Sequence, residues 1–197
     1  TIAGSPPEGY TTGTLYTQEP INEALAVRNP AERLSIVPSV DTSGHGTHVA
    51  GIAAGNGRGS NGANRGVASR SELLVVKLGS SVGNSFPRTT QLMEALDFVV
   101  KRSIQLRRPM AVNVSFGNNY GSHNGRSILE NYINDIANLW KISIVVDSGN
   151  EGSTGIHTSG VLSRTTDTIE MIINNNEQSL NLQLWKNFYD DFDIVII

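Results

Sequence analysis

Hydrophobic residues in the middle of the chain alternate between the spacing of helices and the spacing of strands. Short apolar runs at residues 73–76, 110–114 and 142–146 have the length of buried strands. The segments 89–106 and 127–140 instead carry apolar residues at helical spacing, namely Leu92, Met93, Leu96, Val99 and Val100 in the first and Ile128, Tyr132, Ile136 and Leu139 in the second. This alternation predicts an α/β fold, a parallel sheet with helices on both faces.

The two ends of the chain have different patterns. Residues 1–40 show weak periodicity and predict loop with one short helix near residues 20–27. After Gly160, polar and apolar residues alternate with period two at 168–173, 180–184 and 193–197, which predicts antiparallel strands. We therefore expect residues 1–160 to form part of an α/β domain and residues 161–197 to begin an inserted β-rich subdomain.

Residues 45–54 are almost all small or apolar, and they predict a helix capped by Thr42 or Ser43. A helix that is apolar all round is expected to be surrounded by protein. It begins within the string GHGTHVAG at residues 44–51. Two further strings follow predicted strands, SFG at residues 115–117 and SGNEG at residues 148–152.

These three strings resemble, in order, motifs of the subtilase family of subtilisin-like serine peptidases. The first resembles the histidine signature, the second the segment that binds the substrate backbone, and the third the oxyanion segment. The resemblance spans roughly residues 41–155. A β-rich segment after the oxyanion motif narrows the resemblance to the clostridial Csp-type subtilases of spore germination.

The resemblance implies that His45 is the general base and then the acid, and that Asn150 stabilises the oxyanion. Histidine suits the first role because it titrates close to neutrality, and a positioned amide suits the second. The substrate cleft would be lined by Ser115, Phe116, Gly117, Ser148, Gly149 and Gly83. Backbone groups in such segments can hold an extended peptide as an added strand.

Three residues in or near these motifs allow more than one interpretation. Asp147 is a candidate for P1 specificity, since a carboxylate there would favour a basic P1 residue. The favoured alternative is that Asp147 hydrogen-bonds its own loop. Phe116 either shapes an apolar subsite or packs. Asp41 precedes His45 by only four residues, so it is interpreted as a cap rather than as the catalytic aspartate.

No metal site is expected in the chain. His45 and His48 are three residues apart, whereas helical zinc proteases need four with a glutamate between them, and His48 is expected to be buried and structural. The subtilase loop equivalent to residues 55–66 often holds calcium, but this version has no carboxylate. We expect no cofactor, with calcium left open for the parent protein.

Composition narrows the classes of partner. The chain has 197 residues, a formal net charge of −3 and no cysteine, which excludes disulfides and a thiol nucleophile. Its basic residues are scattered and no apolar run approaches the roughly 18 residues of a membrane span. We therefore expect a peptide or protein substrate, and a propeptide by resemblance, but neither nucleic acid nor membrane.

The family's aspartate and serine motifs do not occur in the chain. The sequence therefore predicts a fragment of a subtilisin-like serine endopeptidase whose catalytic Asp and Ser lie elsewhere in the parent, so that this chain alone is inactive. The alternative is a catalytically dead pseudoprotease that binds a peptide or partner. By resemblance, the parent is expected to be secreted or associated with the cell or spore surface.

Overall fold

The computed structural model describes residues 5–79, 88–163 and 166–197. The chain forms two compact units, the first ending at Leu73 and the second beginning at Leu74. The elements in chain order are helices α1 (Gln18–Ala26), α2 (Pro30–Ile36) and α3 (His45–Ala54), a 3₁₀ helix (Arg58–Ser60), helix α4 (Thr89–Leu106), strand β1 (Ala111–Val114), helix α5 (Ile128–Trp140) and strand β2 (Ser143–Val146).

In the first unit, α1 and α2 pack against each other. Helix α1 matches the predicted short helix, but α2 was not predicted. The signal for α2 is the pair Asn29-Pro30, because the Asn29 side chain accepts a hydrogen bond from Ala31 N at 2.9 Å and proline suits the first helical turn. Arg33 links the two helices by donating from Nε to the Val27 carbonyl at 2.6 Å.

In the second unit, β1 and β2 form a parallel pair whose register runs from Ala111 opposite Ser143 to Val114 opposite Val146. Helix α4 has the predicted bounds, and α5 begins one residue later than predicted. Its cap is Ser127, which exchanges hydrogen bonds with Glu130 in a capping box. The α/β class with a parallel sheet is confirmed.

The core of the second unit lies between the two helices and one face of the sheet. It is built from Leu92, Leu96, Val100, Val114 and Ile136, with Val112 and Ile144 partly buried against them. The residues that alternate with these along the strands, such as Asn113 and Val145, are exposed. In the described part of the second unit, α4 and α5 therefore pack on the same face of the two-stranded sheet.

Helix α5 presents a different face to the core from the one predicted. Tyr132 and Ile136 face the core as expected, but Ile128 and Leu139 are 81% and 70% exposed. The packed positions are Leu129, Tyr132, Ile133 and Ile136. This set follows the spacing i, i+3, i+4, i+7 of a single helical stripe. The predicted set also forms one stripe, and the observed stripe is rotated from it by about 50° around the helix axis, at the 3.6 residues per turn of an α-helix.

Several apolar segments lie exposed in the described residues. The predicted strand at residues 73–76 forms no strand, and Leu73 and Val75 are 60% and 70% exposed. Residues 166–197 likewise contain no strand, so the predicted antiparallel strands are not observed. Strands exist only when paired, and their partners are not determined by local pattern.

Helix α3 also differs from its prediction. Only Ala54 is buried in it, and Ile52 is 60% exposed, so the helix is not enclosed as its composition suggested.

Within the described residues, no helix combines the length and apolar composition that crossing a membrane requires.

The observed face of α5 predicts different costs for two isoleucines on the same helix. Ile136→Ala should lower the free energy of unfolding by about 2–4 kcal/mol, because Ile136 is buried in the core. The matched control, Ile128→Ala, should change it by less than about 0.5 kcal/mol. Urea unfolding followed by circular dichroism measures both, and equal costs would contradict the assigned face.

Candidate active site

Helix α3 begins at His45, as the sequence predicted for the first turn of this helix. The residue before it, Gly44, has a φ of +79°, a conformation that favours glycine, and its carbonyl accepts the first helical hydrogen bond from His48 N at 3.0 Å. The imidazole of His45 is therefore attached at the end of α3 where the backbone N–H groups point outward.

The Asp41 carboxylate fixes the turn that leads into α3. Its Oδ1 accepts from Gly44 N at 2.9 Å and from Ser43 N at 3.2 Å. Its Oδ2 accepts from Thr47 N at 2.8 Å and from the Thr47 hydroxyl at 2.7 Å. The interpretation of Asp41 as a cap is confirmed.

These bonds hold the pKa of Asp41 well below its ordinary value, with the Thr47 hydroxyl contributing most.

The prediction that Thr42 or Ser43 caps α3 was wrong, because Asp41 is the residue that does so. The Ser43 hydroxyl accepts from His45 N at 3.3 Å and donates to Asp41 Oδ1 at 3.3 Å, while Asp41 Oδ2 accepts from Thr47 N in the first helical turn.

Helix α3 carries two histidines, His45 and His48. Among the described residues, no three His, Cys, Asp or Glu side chains come together in a group able to hold a metal ion. The expectation that His48 is buried was wrong, because its side chain is exposed on α3.

The loop of residues 55–66 does not fit calcium, which the family often binds there. Calcium requires six to eight oxygen ligands, usually with carboxylates among them, and this loop has none. The Arg65 side chain lies along the loop instead, so that a Cβ added at Gly57 would be 2.7 Å from its Cγ and one at Gly62 would be 3.2 Å from its Nη2. The positive charge of the Arg65 guanidinium would repel a calcium ion bound in this loop.

In the second unit, the sheet brings two of the predicted cleft segments together. Residues 115–117 follow β1 and residues 147–150 follow β2, so both lie at the carboxyl edge of the parallel pair. Asp147 N donates to the Val114 carbonyl at 3.0 Å, which extends the pairing one residue beyond the strands.

The side chains of the first cleft segment are engaged in different ways. Phe116 is partly buried and packs against the core cluster, which is the packing role that the sequence left as one of two alternatives. The Ser115 hydroxyl accepts from the Asn113 side-chain amide at 2.9 Å. Gly117 is exposed. Gly83, the remaining predicted cleft residue, lies outside the described residues.

The second cleft segment is shaped by two carboxylates. Asp147 Oδ1 accepts from Gly149 N at 3.1 Å, and Glu151 Oε2 accepts from Asn150 N at 2.9 Å. Gly149 has a φ of +89°, a backbone conformation that favours glycine. A Cβ there would also lie 2.8 Å from Glu151 Oε2 and would displace that side chain. With both of these backbone N–H groups engaged, the Asn150 side-chain amide is a donor that this loop can offer to a ligand.

Glu151 was not predicted to belong to the site. The only signal in the sequence is its place directly after Asn150 in the SGNEG string. His45 lies in the first unit, and Ser115, Phe116, Gly117, Asp147, Ser148, Gly149 and Asn150 lie in the second.

Comparison with known proteins agrees with the motifs. The model of the Subtilase family matches residues 18–180 of the chain. Among solved structures, the chain is similar to the CspB protease of Clostridium perfringens, with 44% sequence identity over 72% of this chain and a TM-score of 0.66. The chain spans 30% of the length of that protein. The expected resemblance to the subtilases, and to the clostridial Csp type among them, is confirmed.

The Asp41 contacts predict a local effect that can be measured without activity. Asp41→Ala should accelerate amide hydrogen exchange at Gly44 and Thr47, because both N–H groups lose their acceptor. Asp135→Ala, which removes an exposed aspartate from α5, is the matched control and should leave both rates unchanged. Unchanged protection of Thr47 in Asp41→Ala would contradict the assigned cap.

The same carboxylate predicts the pH dependence of the turn. Since its folded pKa lies below the ordinary value of about 4, Asp41 contributes stability that is fully present above that value. This contribution is lost as the pH falls through the folded pKa. Protection of Thr47 should therefore be constant from neutral pH to about pH 5 and decline only in stronger acid, and a decline that begins near neutrality would contradict the assignment.

Proposed function

Since the chain belongs to the subtilase family, we propose that its parent protein is a serine endopeptidase that hydrolyses peptide bonds through an acyl-enzyme. The observation that carries the proposal is the meeting of two cleft segments at one edge of the sheet. One segment, residues 115–117, has the pattern of a substrate-backbone site, and the other contains Asn150.

The proposed role of His45 is to remove the proton from a serine hydroxyl and return it to the leaving amine. A serine hydroxyl is a poor nucleophile at neutral pH, and a neutral imidazole within hydrogen-bonding distance is the usual base. The position of His45 at the exposed start of α3 supports this role, because the side chain is accessible and the turn that carries it is fixed by Asp41.

The proposed role of Asn150 is to donate from its side-chain amide to the oxyanion of the tetrahedral intermediate. The engagement of Gly149 N and Asn150 N with carboxylates supports the side chain as donor. Backbone groups of Ser115 and Gly117 would pair with an extended substrate alongside β1, in the manner of an added strand. Ser148, Gly149 and Gly83 complete the proposed cleft.

In this proposal the nucleophilic serine and the aspartate that orients His45 come from parts of the parent outside this chain. The chain matches only 30% of the length of the Clostridium perfringens protease. This supports the proposal that the serine and the aspartate lie in other parts of the parent. This chain alone is then inactive. The family resemblance also supports a propeptide as partner and a secreted or spore-surface location.

The proposed roles predict distinct kinetic effects in the full-length parent. His45→Ala should reduce the hydrolysis of a chromogenic peptide by several orders of magnitude, since the serine loses its base. Asn150→Ala should reduce kcat by about 100- to 1,000-fold with little change in KM, a figure measured on the corresponding asparagine of subtilisin. His157→Ala removes another exposed histidine and serves as the matched control, with full activity expected.

Two outcomes would contradict the proposal. Hydrolysis that survives His45→Ala would show that another residue is the base. A folded wild-type parent that hydrolyses no peptide but binds one with a dissociation constant that depends on residues 115–117 would identify a pseudoprotease that acts as a binding module.

A further inference from the structure

We propose that Asp147 is a positioning residue, which holds the loop that carries Asn150 in its working conformation. This inference rests on the proposed function, because it assigns to Asp147 an effect exerted through the oxyanion donor. Asp147 itself would touch neither the substrate nor the reacting atoms.

The backbone of Asp147 is anchored in the sheet. Its N–H donates to the Val114 carbonyl at 3.0 Å, directly beyond the last paired residues of β1 and β2. Behind this point Val114 is buried in the core of the second unit. Asp147 directly follows β2 and is still bonded to β1, so it is the fixed point from which the loop departs.

The side chain of Asp147 transfers that fixed position to the loop. Its Oδ1 accepts from Gly149 N at 3.1 Å, two residues further along the chain, in the manner of an Asx turn. Gly149 has a φ of +89°, in the left-handed region, immediately before Asn150. The bond therefore acts at the residue whose backbone angles determine where Asn150 is carried.

The other side of the loop is held independently. Glu151 Oε2 accepts from Asn150 N at 2.9 Å, and the Glu151 carbonyl accepts from Thr154 N at 3.0 Å. Glu151 thus stabilises the loop after Asn150, while only Asp147 links it to the sheet before Asn150 among these bonds. Loss of Asp147 should consequently allow the loop to move relative to the substrate segment at residues 115–117.

The alternative role for Asp147, selection of a basic P1 residue by its charge, makes a different prediction. An Asx turn requires only a side-chain oxygen acceptor, which asparagine also supplies. Charge selection requires the carboxylate. Asp147→Asn separates the two roles because it keeps the acceptor and removes the charge, while Asp147→Ala removes both.

The test uses the full-length parent and matched peptides with Leu or Arg at P1. We expect Asp147→Ala to lower kcat about tenfold on both peptides, less than the 100- to 1,000-fold effect of losing the amide itself, with KM within about twofold. Asp147→Asn should recover most of this loss. In the Asn150→Ala background, Asp147→Ala should change kcat by less than about twofold, since the donor that it positions is absent.

Three outcomes would overturn the proposal. The first is an Asp147→Asn variant as slow as Asp147→Ala, and the second is an equal loss in the Asn150→Ala background. The third is a change in the ratio of rates on the Arg and Leu peptides with the Leu rate preserved, which would assign Asp147 to P1 selection.

A measurement that needs no activity separates this inference from the proposed function. Hydrogen exchange of the peptide containing Gly149 and Asn150 should accelerate in Asp147→Ala and remain at the wild-type rate in Asp147→Asn. If the wild-type parent hydrolyses no peptide, the proposed function fails, and the exchange rates still decide whether Asp147 holds the loop. Equal exchange in all three proteins would overturn that role.

Discussion

Strands β1 and β2 pair in parallel with Val114 opposite Val146, and the candidate site of the second unit lies just beyond this pair. The register determines which residues leave the sheet side by side. Since side chains alternate along a strand, a slip of β1 by one residue would turn Val112 and Val114 away from the core and shift Ser115 relative to Asp147. Burial of Val114 against Leu96 and Ile136 therefore fixes both the core and the relative position of the two cleft segments.

Carboxylates that accept backbone N–H groups give the functional turns their shape. Asp41 organises the start of α3, Asp147 and Glu151 organise the loop around Asn150, and Glu130 caps α5 together with Ser127. Hydrogen bonds with the side chain and the backbone of Ser127 also hold the pKa of Glu130 below its ordinary value, and the side-chain bond contributes most. Hydrogen bonds to a charged acceptor are stronger than neutral ones. Acidic residues near the proposed site thus hold the backbone, whereas the groups proposed to act in catalysis are a histidine and an amide.

The spacing of apolar residues along the chain was enough to predict some of the helices and strands. Helix α4 and strands β1 and β2 were predicted within one residue of their observed bounds, because each is a long or strongly apolar segment. Helix α2 was missed because its seven residues carry little periodicity, although Asn29-Pro30 marks its start. The strands predicted at residues 73–76 and after Gly160 depend on distant partners, which no local pattern specifies.

In the candidate site too, some features could be predicted from the sequence and others could not. His45 and Asn150 were predicted from short strings whose chemistry is local, and their catalytic roles remain predictions. The meeting of residues 115–117 with Asp147 at one edge follows from the parallel sheet. The part played by Glu151 depends on which N–H its side chain reaches, and residue type alone does not determine that.

Reaction of the full-length parent with a fluorophosphonate, which attaches covalently to an activated serine, tests the central claim most directly. The account predicts labelling of the wild-type protein and of His157→Ala, and loss of labelling in His45→Ala. A folded parent that takes no label, or labelling that survives His45→Ala, would contradict the claim that this chain supplies the base of a serine peptidase.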